Sequence, residues 1–162
     1  MKTQSIIYSL LLFILVGCGF HLRGSQGFNI TSVWIESAGA DRVTQLVKWV
    51  LVEEGVKLAE SAEKSQVILL LSQETMNKRV LSVSANSGNL EELELNFYVD
   101  MTVQKPDGEV LLDNQRINLL RDYSFDEKAV LAMGAEEEVI QQELFHDVVA
   151  QIVRRLQSVQ IK

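Results

Sequence analysis

One cysteine occurs in this 162-residue chain: Cys18, within the stretch LVGCGFHLRG from Leu15 to Gly24. A lone thiol cannot close a disulfide within its own chain, so Cys18 is either a buried side chain at the end of the apolar run before it or a site of covalent modification. The two imidazoles, His21 and His146, have no second histidine or cysteine at ligand spacing, which leaves zinc without a ligand set. No G-x-S-x-G elbow presents a nucleophile, and no glycine-rich loop is shaped to cradle phosphate. Glu136, Glu137 and Glu138 are consecutive, and consecutive helix residues point in different directions. They read as a solvated helix face rather than a metal site, and Glu91, Glu92 and Glu94 read as a solvated strand rim. The chain is thus expected to hold no catalytic residues, no metal and no cofactor. What remains is the chemistry of Cys18 itself.

The residues before Cys18 say what that chemistry is. Lys2 gives a short positive start, and Ile6 to Val16 runs IIYSLLLFILV without a charge. A membrane-spanning helix needs about 20 apolar residues, so this run fits the core of a signal peptide instead. Leu15-Val16-Gly17-Cys18 resembles the lipobox of bacterial lipoproteins. In that motif a small residue precedes the cysteine, the thiol takes a diacylglyceryl group, the chain is cut between the two, and the new amine is acylated. The resemblance implies cleavage between Gly17 and Cys18 and a lipidated Cys18. It divides the chain into a signal peptide (1–17), a lipidated tether (18–27) and one domain (28–162). Residue 19 is glycine rather than the aspartate of an inner-membrane retention signal, which implies the outer membrane, on its periplasmic side.

Charge narrows the partners. The chain has a formal net charge of −7, and removal of residues 1–17, whose one charged side chain is Lys2, makes it −8. Nucleic-acid affinity comes largely from neutralising phosphates, so an acidic body argues against that partner and equally against a polybasic membrane patch. Attachment falls to the lipid: each buried methylene contributes about 0.8 kcal/mol, and two or more acyl chains hold firmly.

The elements follow from periodicity. Val33-Trp34-Ile35 reads as a strand. Val43, Leu46, Val47, Val50 and Leu51 recur at helical spacing between Asp41, a candidate cap, and Gly55, a natural stop. Val67 to Leu71 begins a buried strand that continues, bent, to about Ser84, and 84–89 is a loop. Leu93, Leu95, Phe97, Val99, Met101 and Val103 alternate with Glu94, Asn96, Tyr98, Asp100, Thr102 and Gln104, a strand with one buried face. Pro106-Asp107-Gly108 turns the chain, and a returning strand runs from about Glu109 to Tyr123. Ser124 to Glu127 has the spacing of a capping box ahead of a last helix whose stripe is Ile140, Leu144, Val148, Ile152 and Leu156. Trp34 and Trp49 read as core. The expected fold is α+β, in the order β-α-β-β-β-α, with two helices on one face of a four-stranded mixed sheet.

Cys18-Gly19-Phe20-His21-Leu22-Arg23-Gly24 resembles the mature start of the lipopolysaccharide-assembly lipoprotein family, LptE, and the architecture agrees along nearly the whole chain. The resemblance implies a non-enzymatic partner that sits one-to-one inside the outer-membrane β-barrel inserting lipopolysaccharide into the outer leaflet. Such a partner helps that barrel assemble and can bind lipopolysaccharide. Residues 19–24 would carry the chain from the inner leaflet to the barrel. Phe20 and Leu22 could pack on the barrel wall while Arg23 meets a carboxylate or lipid phosphate, or the segment could simply dock on its own domain. The loop 84–89, Met133 and Gly134, where such proteins can carry basic residues, have none here. The nearest cations are Lys78, Arg79 and Lys128, with Arg116 and Arg121 on the returning strand, and these five are the candidate lipopolysaccharide contacts. Asn86, Tyr98 and Asp107 are the candidate barrel contacts. The competing reading is a generic periplasmic lipoprotein that binds cell-wall glycan or another envelope protein.

Overall fold

The computed structural model describes residues 28–85, 88–126 and 129–161, without the side chains of 130–132. The signal peptide, Cys18 and the whole tether motif, as well as Asn86 and Lys128, lie outside the described residues.

The elements are β1 (Ser32–Ala38), α1 (Asp41–Glu53), β2 (Lys57–Leu58), a 3₁₀ turn (Ala62–Lys64), β3 (Val67–Val83), β4 (Leu90–Gln104), β5 (Val110–Ser124) and α2 (Val130–Gln157). The expected α+β class stands, with one more strand than expected. The sheet has five strands in the order β2-β1-β3-β4-β5. The extra one, β2, pairs parallel with β1 over only two residues, too few to show a period in sequence. β1 and β3 are parallel, and β3, β4 and β5 run antiparallel.

The alternation of β4 becomes its two faces. Leu93, Leu95, Phe97, Val99, Met101 and Val103 are buried, and they join Val33, Ile35, Val67, Leu69, Leu71 and Ile117 in one core. The helices close that core with Val43, Val47 and Leu51 of α1 and Leu144, Val148, Ile152 and Leu156 of α2. Phe97 meets Phe145 of α2 with ring centroids 4.7 Å apart, tilted by 56°. Both helices thus lie on one side of the sheet, and among the described residues nothing covers the other.

The bend expected in β3 is a bulge. Ser72 pairs with Asp100 and Thr75 with Tyr98, so Gln73 and Glu74 together oppose Val99. Gln73 takes φ +56°, the one positive φ outside glycine among the described residues. The bulge turns Glu74 toward α1, where its Oε2 accepts the backbone N–H of Val43 at 3.0 Å. This corrects the expected role of Asp41, which is the first helical residue rather than the cap. The Ser37 hydroxyl accepts the Ala40 N–H at 3.2 Å and donates to Asp41 Oδ1 at 2.6 Å. The expected capping box does not start α2 either. Ser124 ends β5, and the residue preceding the helix is Ala129. Trp49 is not core: it is 60% exposed, because the buried stripe of α1 runs through Val43, Val47 and Leu51. At the β4–β5 turn, Lys105 and Gly108 close the backbone, with Gly108 at φ +94°, a conformation that favours glycine.

Candidate functional site

The uncovered sheet face presents Glu94, Asn96, Tyr98, Asp100, Thr102 and Gln104 of β4, flanked by β3 and β5. Two carboxylates at its centre are buried, Asp100 at 3% exposure and Glu94 at 4%. A buried carboxylate needs a partner, and the strand register supplies one to each. Asp100 lies directly opposite Arg116 of β5, and Glu94 opposite Arg79 of β3. Arg116 grips Asp100 with a fork, Nε to Oδ1 at 2.7 Å and Nη2 to Oδ2 at 2.8 Å, and donates from Nη2 to Gln73 Oε1 at 2.9 Å. The guanidinium also lies 4.5 Å from the Tyr98 ring centroid. These hydrogen bonds from Arg116 hold the Asp100 carboxyl below the usual carboxylate range, against the opposing effect of burial. Arg79 donates from Nη2 to Glu94 Oε2 at 3.2 Å, with its Nε 2.6 Å from Oε1. The burial of Glu94 corrects its reading as a solvated rim; Glu91 and Glu92 are exposed.

Lys78 and Arg121 fall on the opposite, helix-bearing side, where both pair with Leu95 across β4. Lys78 is bound to Glu137 of α2, and Arg121 to Asp147 at 2.9 Å. Glu137 also accepts the Tyr123 hydroxyl at 2.8 Å and the Gln141 amide at 3.2 Å. Burial would raise the Glu137 pKa, but the donors Lys78, Tyr123 and Gln141 outweigh it and hold Glu137 below the usual range. Burial and then the Glu137 carboxylate push the Tyr123 hydroxyl upward. The middle glutamate of 136–138 is therefore a cross-layer tie, not part of a solvated face. Among the described cations proposed as lipopolysaccharide contacts, then, two lie on each side of the sheet, and each is engaged by a carboxylate of the chain itself.

Tyr98 is half-buried on the open face. Asp107 is exposed at the β4–β5 turn, where Oδ1 accepts the Glu109 N–H at 3.0 Å. His146 is exposed beside a groove between the helices that also includes Gln45, Gln142 and Arg42, whose guanidinium stacks 3.8 Å from the Phe145 ring centroid. Among the described residues no three His, Cys, Asp or Glu side chains are placed to hold a metal, and no helix is long and apolar enough to cross a membrane. Sequence reasoning missed Gln73, Asp100 and Glu137. A signal existed only for Asp100, an acidic residue at the centre of a strand.

A two-layer α+β domain with one helical side and one bare sheet face is the class of fold found in solved bacterial lipoproteins. An uncharacterized lipoprotein B from Nitrosomonas europaea matches with a TM-score of 0.76 at 30% identity, over 86% of this chain and 91% of that one. Rare lipoprotein B from Shewanella oneidensis matches with a TM-score of 0.69 at 26% identity, over 78% of this chain and 94% of that one. The LptE model, described as lipopolysaccharide-assembly, matches residues 30–156, and the chain belongs to this family. It is 27% identical to the LPS-assembly lipoprotein LptE of Photorhabdus laumondii over 161 residues, 98% of this chain and 87% of that protein.

Proposed function

We propose that this chain is a non-enzymatic lipoprotein of the outer membrane, held on the periplasmic side by acyl groups on Cys18. It sits one-to-one inside the β-barrel that inserts lipopolysaccharide into the outer leaflet and assists that barrel's assembly. The observation that carries this reading is the bare sheet face, whose buried carboxylates are neutralised within the chain by Arg79 and Arg116. The lumen of an outer-membrane barrel is polar. A face whose buried carboxylates are paired within the chain can lie against such a wall without stranding a charge. The membership in the lipopolysaccharide-assembly family supports the same reading.

Lipopolysaccharide binding is the subordinate part. A phosphate that takes Lys78, Arg79, Arg116 or Arg121 must compete with the carboxylate already on it. Cell-wall glycan, the alternative, calls for paired aromatic platforms. Trp49 is the one strongly exposed aromatic side chain among the described residues, and it has no second beside it. A mild-detergent pull-down of the lipidated chain from native outer membranes tests the proposal. It should bring down a much larger barrel in equal molar amount. Recovery of peptidoglycan fragments without a barrel would support the glycan reading instead.

A further inference from the structure

On the bare sheet face, three side chains converge on one guanidinium. Asp100 lies beneath Arg116 and takes its Nε and Nη2, the Gln73 amide oxygen takes Nη2 from the side, and the Tyr98 ring stacks against it. The arginine is not hidden by this, since its side chain remains 53% exposed while that of Asp100 is 4% exposed. Nη1 and the Tyr98 hydroxyl have no hydrogen-bond partner among the described residues. The outcome is a rigid pair of free polar groups on a neutralised base.

Gln73 makes the arrangement costly. Its φ of +56° lies in the left-handed region, where a side chain is disfavoured and glycine is not. Glycine would serve the bulge at least as well, yet the position holds a residue whose amide reaches Arg116. Strained backbone positions of this kind cluster at functional sites. Arginine and tyrosine are also the residue types that dominate interface energetics when held in place, and holding them beforehand spares the entropy of ordering them on docking.

We propose that Gln73, Tyr98, Asp100 and Arg116 form the anchor through which the bare face docks on its partner. Arg116 Nη1 and the Tyr98 hydroxyl meet oxygen acceptors on the barrel's inner wall. This rests on the plug reading above and names the contact within it. Gln73 is a positioning residue that acts through Arg116.

The test uses the lipidated full-length chain in native outer membranes, with the half-life of the barrel complex in mild detergent as readout and the melting temperature measured alongside. Gln73→Gly should melt at or above the wild type, because the strain is relieved, and yet lose the barrel on the order of tenfold faster, as a disturbed anchor should. Arg116→Lys, which keeps a positive charge on Asp100 but removes Nη1, should also shorten the half-life. Lys64→Gln on the distant 3₁₀ turn should not. If the wild type and both cluster variants hold the barrel equally long, the anchor is refuted and the plug reading survives. If the wild type holds no barrel, the plug reading falls and the anchor with it. A Gln73→Gly variant that loses the barrel only because it melts earlier also refutes the anchor.

Discussion

Replacing Phe97 by alanine and, separately, Tyr98 by alanine measures the two faces of β4 against each other. Phe97 is fully buried and stacks on Phe145, joining the sheet to α2. Deleting a buried phenyl ring costs about 3–5 kcal/mol, and the lost ring pair puts this case toward the upper end. Tyr98, one residue on, points the other way and is half-buried. Its main contact is the Arg116 guanidinium at 4.5 Å, an interaction worth about 0.5–1 kcal/mol near a surface. For a domain of this size each kcal/mol moves the melting temperature by roughly 4 °C. Phe97→Ala should therefore melt about 12–20 °C below the wild type and Tyr98→Ala about 2–4 °C below. Thermal unfolding of the full-length chain in detergent, followed by circular dichroism, reads both. Equal losses would refute the facing of β4 and with it the bare sheet face.

Replacing Cys18 by alanine should release the protein from lipid attachment while leaving the melt unchanged, which membrane fractionation and calorimetry check together. Asp100 has a depressed folded-state pKa through its bonds to Arg116. The stability it contributes is complete above the unfolded carboxyl value of about 3.9 and is lost as pH falls from there through the folded value. Asp100→Asn should thus flatten the pH dependence of urea midpoints in that acid range while lowering stability at neutral pH. Glu137→Ala removes the acceptor of Lys78, Tyr123 and Gln141 at once and should destabilise by about 2–4 kcal/mol as half-buried donors lose their partner. Loss of hydrogen-exchange protection should appear first where β3 and β5 face α2.

The long strands and both helices were legible because each shows its period in its own residues. The β4 alternation needs no partner to be read, and neither does the stripe from Leu144 to Leu156. The site was less legible because its geometry is set by register. Arg116 faces Asp100, and Arg79 faces Glu94, only after two antiparallel pairings and a bulge at Gln73 have been fixed. Before that, five cations read as a surface waiting for phosphate. Glu137 was hidden by its acidic neighbours, since Glu136 and Glu138 are exposed and only the middle residue turns toward Lys78 and Tyr123. Trp49 shows the opposite error. Its residue type suggested core, while the spacing of Val43, Val47 and Leu51 already placed it on the outer side of α1. β2 left no trace because two residues carry no period.

The central claim is that this chain lies inside a barrel, and in-cell photo-crosslinking tests it most directly. Crosslinkers go at Tyr98 on the bare sheet face, at Asp107 in the β4–β5 turn and at Asn86, in the sequence between β3 and β4, with buried Leu144 as the control. At least one of the three should trap the lipopolysaccharide-inserting barrel in intact cells, and Leu144 should not. If none traps it while the lipidated protein is present at its normal level, the chain is not a plug of that kind.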